Sequence, residues 1–127
     1  MKGVYKYKIL KNLTINSTNS PTLTLDIVPL TLEEDLTINP GAIFDANGLD
    51  LTLYGDLINN GSFISNQNNT YFTGSADQSI TGATTFYNLF KNTANQLTLN
   101  NNIDVDNELH LDLGTLDDND NTLSVQG

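Results

Sequence analysis

The sequence predicts an all-β fold built as a parallel β-helix, and four observations lead there. Apolar residues recur as apolar-polar-apolar triplets, the period of two that half-buries a strand. No window carries the i, i+3, i+4, i+7 apolar series of an amphipathic helix. The triplets are short, and clusters of Asn, Asp and Gly separate them, residues that tolerate left-handed backbone and make tight corners. Finally, the first half of the chain is echoed in the second at an offset of about 73 residues. Such self-similarity marks a repeat architecture, in which each unit buries its apolar face against its neighbours.

Taken in order, the triplets are Leu13-Thr14-Ile15, Leu23-Thr24-Leu25, Leu30-Thr31-Leu32, Leu36-Thr37-Ile38, Leu51-Thr52-Leu53, Leu97-Thr98-Leu99, Ile103-Asp104-Val105, Leu109-His110-Leu111 and Leu123-Ser124-Val125. Phe63-Ile64, Tyr71-Phe72 and Phe86 to Phe90 fill the gaps. Corners fall at Asn39-Pro40-Gly41, Ala46-Asn47-Gly48, Asn59-Asn60-Gly61, Asn100-Asn101-Asn102 and Asp117 to Asn121. Asn-Gly pairs often close hairpins, but hairpin strands run to about five or six residues and these are shorter. Division at the glycines gives coils from Leu36 to Gly55, Asp56 to Gly82 (lengthened around Asn66 to Asn69), Ala83 to Asp106 and Asn107 to Gly127, with one to two more before Leu36. The expectation is about five to six short coils. Leu25, Leu32, Ile38, Leu53, Leu99, Val105, Leu111 and Val125 should point into one continuous core. Both ends of so short a rod would be open sheet edges, which proteins normally cap. Residues 1–127 are therefore expected to form one solenoid segment of a longer repeat protein.

Composition excludes several classes. The chain has no Cys and no Trp, and five lysines stand against fifteen carboxylates for a formal charge of -10. Nucleic acid is not an expected partner, since phosphate binding needs clustered Lys or Arg. The one cationic cluster, Lys2, Lys6, Lys8 and Lys11, reads as an exposed edge strand. No stretch is long and apolar enough to span a membrane. Nothing here resembles a signal peptide. The lack of Cys suits either a reducing compartment or a surface protein stabilised by stacking.

One run carries a family resemblance. Phe72-Thr73-Gly74, Gln78, Ile80 and Gly82 are followed by Thr85-Phe86-Tyr87-Asn88-Leu89, by Leu97-Thr98-Leu99, by Gly114-Thr115-Leu116-Asp117 and by Asn121-Thr122-Leu123. This pattern resembles the repeats of large adhesin-like surface proteins of gliding and related Bacteroidota, exported by the type IX secretion system. The likeness covers roughly Leu36 to Gly127. It implies a right-handed parallel β-helix, an extracellular, cell-surface location and a scaffold or stalk role without catalytic residues. The secretion signal found at the C-terminus of such proteins does not occur in this sequence. Export is therefore an expectation for a parent protein.

Candidate chemistry is sparse. Glycoside hydrolysis needs two carboxylates about 5–9.5 Å apart. Asp104, Asp106 and Asp112 could share a face. A lyase would need a cationic base, and only Lys91 lies outside the N-terminal cluster, so no catalytic residue is assigned. His110, the sole histidine, should point to solvent where other triplets hold Thr, and one His without Cys makes no structural zinc site. Asp117, Asn119 and Asn121 have the alternate spacing of a Ca2+ loop. Thr122 replaces the turn glycine and no closing Glu follows, so an acidic corner without a cofactor is the expectation. Outward Thr residues read as β-propensity, and corner Asn residues are expected to stack into amide ladders. The resulting expectation is a structural and adhesive segment whose partners are other coils or subunits of its parent or assembly. The runner-up is a carbohydrate- or host-surface-binding module, recognising surface glycans through the loop at Asn66 to Asn69. A polysaccharide-degrading enzyme is third.

Overall fold

The computed structural model describes residues 8–16 and 18–127, and within them the protein is a parallel β-solenoid of about six turns. Lys2 and Lys6 lie outside the described residues. Every strand pair is parallel, and the strands stack in three faces. The first face holds β1 (Lys8–Leu10), β4 (Leu30–Leu32), β7 (Leu51–Leu53) and β10 (Asn69–Phe72), then the middles of β12 (Thr84–Leu99) and β13 (Ile103–Asp117). The second holds β2 (Leu13–Ile15), β5 (Leu36–Ile38), β8 (Leu57–Asn59) and β11 (Gln78–Thr81), then the ends of β12 and β13. The third holds β3 (Thr22–Thr24), β6 (Ile43–Asp45) and β9 (Ser62–Ile64), then the starts of β12 and β13, and β14 (Leu123–Val125). No helix long and apolar enough to cross a membrane occurs among the described residues.

The true repeat is one coil. On the first face Lys8, Leu30, Leu51, Thr70, Leu89 and Leu109 succeed one another, at intervals of 19 to 22 residues. The 73-residue similarity therefore does not superpose equivalent positions. It carries Leu30-Leu32 of the first face onto Ile103-Val105 of the third, and Leu36-Ile38 of the second onto Leu109-Leu111 of the first. The similarity is a rotation by one face, because all three faces obey the same inward-outward alternation.

The core runs the length of the rod, from Ile15, Leu30 and Leu32 to Ile103 and Val105. Phe44, Phe63 and Phe86 stack along the third face with centroids 5.7 and 5.4 Å apart, and Phe72 meets Phe86 edge-on at 6.3 Å. Leu32, Ile38, Leu53, Leu99 and Val105 are fully buried as expected, and Leu25 packs against the core half-buried. Two expectations fail: Leu111 is 51% exposed and Val125 46%. Both occupy inward positions, but they lie on the last coil, where no further coil of residues 1–127 stacks over them. In the column Leu10, Leu32, Leu53, Phe72, Lys91, Leu111, a lysine takes a core position. Lys91 is only 1% exposed, and its ammonium donates to the Thr93 carbonyl, the Thr93 hydroxyl at 3.3 Å and the Leu113 carbonyl at 3.4 Å. Burial pulls its pKa down, and the Asp77 carboxylate partly restores it.

Candidate functional site

The chain lengthens where it was not expected to. From Asp45 to Leu51 and from Ile64 to Thr70 the third-to-first corner has the same length, so Asn66 to Asn69 is an ordinary corner. The insertion lies one corner later. Leu53 to Leu57 spans four residues, while their register partners Phe72 and Ile80 are eight apart. The extra residues are within Thr73 to Asp77, and Gln78 clamps them. Its Oε1 accepts the Gly74 amide at 2.8 Å, and its Nε2 donates to the Leu53 carbonyl at 3.0 Å and to the Gly55 carbonyl. The Phe-x-Gly-x-x-x-Gln spacing noted in the sequence is thus a structural clamp. Gly82 ends the unit at φ +94°, where an added Cβ would strike the Asn59 carbonyl oxygen.

After the loop the chain shortens, with nine residues from Ile80 to Leu89 against thirteen from Leu57 to Thr70, and the third face breaks here. β3, β6 and β9 pair in register, but β9 does not pair with the start of β12. The phase also flips: Phe63 points inward from the middle of its triplet, whereas Thr84 and Phe86 flank the outward Thr85. A groove of about 430 Å³ opens at this break, lined by Phe63, Gln67, Thr85, Tyr87, Asp106 and the Asn66 corner. Asn66 and Gln67 hold positive φ, 50° and 65°.

On the first face the outward column changes character along the rod. Ile9, Thr31 and Thr52 give way to Tyr71, Phe90 and His110. Tyr71 stacks on Phe90 at 4.5 Å and 21°, and Phe90 on His110 at 4.5 Å and 2°. His110 does face outward, with Nε2 2.8 Å from Glu108 Oε2. An amide ladder runs beside the rings: Asn88 donates to Asn69 Oδ1 and Asn107 to Asn88 Oδ1, each at 2.8 Å. Burial against Phe90, reinforced by the Asp50 carboxylate, raises the Tyr71 pKa, while a hydrogen bond with Asn69 opposes the rise. Tyr71, Phe90 and His110 lie 19 and 20 residues apart, so the coil period is the signal that would have found this stack.

The acidic corner is built for turning. Asp117 Oδ1 accepts the Asn119 amide at 2.9 Å, and Asn121 Nδ2 donates to the Leu99 carbonyl at 2.9 Å. Asp45 and Asn47 repeat this arrangement: Asp45 Oδ1 accepts the Asn47 amide at 2.8 Å, and Asn47 Nδ2 reaches Leu25 O at 3.0 Å. The amide nitrogen of Asn121 aims at backbone carbonyls, so this face of the side chain offers a cation no lone pair. Among the described residues, no three His, Asp or Glu side chains are grouped to hold a metal ion. Asp104 is the register partner of Thr85 on the third face, Asp106 lines the groove beside Thr85, and Asp112 follows the first-face triplet Leu109-His110-Leu111. No family model, no curated protein and no solved structure matches this chain.

Proposed function

We propose that this chain is a structural and adhesive segment of a large secreted bacterial surface protein, acting as a rod and without catalysis. The observation that supports it best is the coil-to-coil register, continuous along the first face through six levels around one apolar core. Backbone hydrogen bonds along the axis, amide ladders outside and a net charge of -10 suit a solvated spacer. The cell-surface location rests on the resemblance of Phe72 to Gly82 and its following segments. The test is adhesion. Beads coated with the chain should hold to mucin- or polysaccharide-coated glass better than albumin-coated beads, and should release no reducing sugar. Adhesion equal to albumin, or steady sugar release, would reject the reading.

The groove beside β9 favours a second reading, saccharide binding. Tyr87 and Phe63 offer aromatic surface, and Asn66, Gln67, Thr85 and Asp106 offer hydroxyl partners. The acidic balance points to neutral or amino sugars. A glycan array should then give hits that Tyr87→Ala and Asp106→Asn abolish; hits unaffected by both variants would place binding elsewhere.

A further inference from the structure

Two Asn-Gly steps occur in the chain, Asn47-Gly48 and Asn60-Gly61, and the structure treats them differently. An asparagine before glycine is open to attack on its own side chain, because a residue without Cβ leaves its backbone nitrogen unshielded. At Asn47 both reacting groups are held. Its Nδ2 donates to the Leu25 carbonyl at 3.0 Å, and the Gly48 amide donates to the Ser65 carbonyl at 3.2 Å. At Asn60 neither is held. Its backbone amide donates to the Ile38 carbonyl at 2.8 Å, but the side chain is exposed. Among the described residues no hydrogen bond engages the Asn60 carboxamide or the Gly61 amide. Equivalent corners show what is missing. The backbone amides of Asn39 and Asn100 likewise reach Ile15 and Ile80 one coil back, yet their side chains serve as rungs: Asn39 Nδ2 donates to Asn16 Oδ1 at 2.8 Å, and Asn100 Nδ2 to Thr81 Oγ1 at 3.0 Å. Asn60 is the free rung. Pro40 and Asn101 follow the other two, so Asn60 alone among the three precedes a glycine.

We propose that Asn60 is a site of spontaneous deamidation and isomerisation in the folded protein, and that Asn47 is protected. The Gly61 nitrogen gives up its proton to solvent base and bonds to Cγ of Asn60. The Cγ–Nδ2 bond breaks, the nitrogen takes a proton from water and leaves as ammonia, and a succinimide closes. Water then opens the ring. Attack at Cγ leaves Asp; attack at the main-chain carbonyl leaves isoaspartate, whose backbone runs on through the former side chain. Nothing is oxidised or reduced. Isoaspartate lengthens the backbone by one carbon where there is little room, since a Cβ added to Gly61 would strike the Ala42 and Asn39 carbonyl oxygens. The corner must then shift, and with it the bond from the Ser62 amide to the Ala42 carbonyl, 3.0 Å long, that starts β9. Phe63 and Ile64 of that strand line the groove, so the change reaches the groove through its wall.

Incubation of the 127-residue chain in mildly alkaline buffer, folded and in urea, tests this by peptide mass mapping. In urea both asparagines should react at similar rates, each gaining the mass difference between water and ammonia. In the folded chain two hydrogen bonds must open at Asn47 and none at Asn60, so Asn60 should react about tenfold or more faster. Electron-based fragmentation should find isoaspartate at position 60, and hydrogen exchange at the Ser62 amide should speed up in that fraction. Asn60→Ser should abolish the change in the folded chain. Equal rates at the two sites of the folded chain, faster loss at Asn47, or a folded Asn60 that stays intact while the urea sample reacts overturns the proposal. Unchanged protection at Ser62 in the modified fraction overturns the shift of the corner.

Discussion

Lys91 is the residue whose chemistry departs most from its surroundings. Its folded pKa is lowered from 10.5 by burial, and that of Tyr71 is raised from 10.0. The signs oppose. Between the lowered pKa of Lys91 and 10.5 the unfolded chain binds more protons than the folded one, so stability rises with pH in that window. Above 10.0 the unfolded chain loses the Tyr71 proton first, so stability falls until the raised pKa is passed. Comparing melting temperatures of the wild type and Lys91→Met across this range should show the rise only in the wild type; equal slopes would mean that Lys91 is hydrated. Phe90 is stacked on both sides, and an aromatic pair contributes about 0.5–1.5 kcal/mol beyond its buried area. Phe90→Ala should therefore cost about 1–3 kcal/mol in urea unfolding. A loss below about 0.5 kcal/mol, within the range of ordinary surface substitutions, would show that the rings stack without coupling.

At the scale of the element, the inserted loop from Thr73 to Asp77 depends on Gln78. Its amide serves three backbone groups, and each buried group left unpartnered costs about 1–3 kcal/mol. Gln78→Ala should destabilise by about 2–4 kcal/mol, allowing for partial rehydration of the loop carbonyls. If the midpoint in urea shifts no more than for a surface variant such as Ser75→Ala, the clamp is not what holds the loop. The corner at Asp117 makes a contrasting prediction. A ligand at a hundredfold excess over its Kd would stabilise by about 2.7 kcal/mol. Millimolar Ca2+ is expected to leave the melting temperature unchanged, because Asp117 and Asn121 are engaged by backbone. A calcium-dependent rise abolished by Asp117→Ala would contradict this.

For the molecule as a whole, stability is a sum over neighbouring coils, so the ends should open first. On the last coil β14 covers only Ile103 to Val105, and residues 108–113 have a neighbour on one side. Hydrogen exchange should be slowest in β7 and β10, each paired on both sides, and fastest in β14 and the end of β13. Protection as high at Leu123–Val125 as at Leu51–Leu53 would show that something covers that end.

The sequence by itself determined that the chain is all-β, that most of its strands are short and that they coil, because period two and Asn/Gly corners act locally; that β12 and β13 run on for 16 and 15 residues through their corners was not legible there. It also placed the core from Leu32 to Val105, since alternation fixes which side chains turn inward wherever a coil lies on each side. Only the tertiary structure decided what depends on which residues become neighbours one turn away. The aromatic stack of Tyr71, Phe90 and His110 exists because coils of 19 and 20 residues bring three distant outward positions into line. The loop at Thr73 to Asp77, misplaced to Asn66–Asn69 by composition, is visible only through register. Lys91, noted in the sequence only as the lysine outside the N-terminal cluster, is buried, because its column sets its environment. Leu111 and Val125 fail in the opposite direction: their alternation points them inward, but burial requires a coil above, and the register of residues 1–127 supplies none.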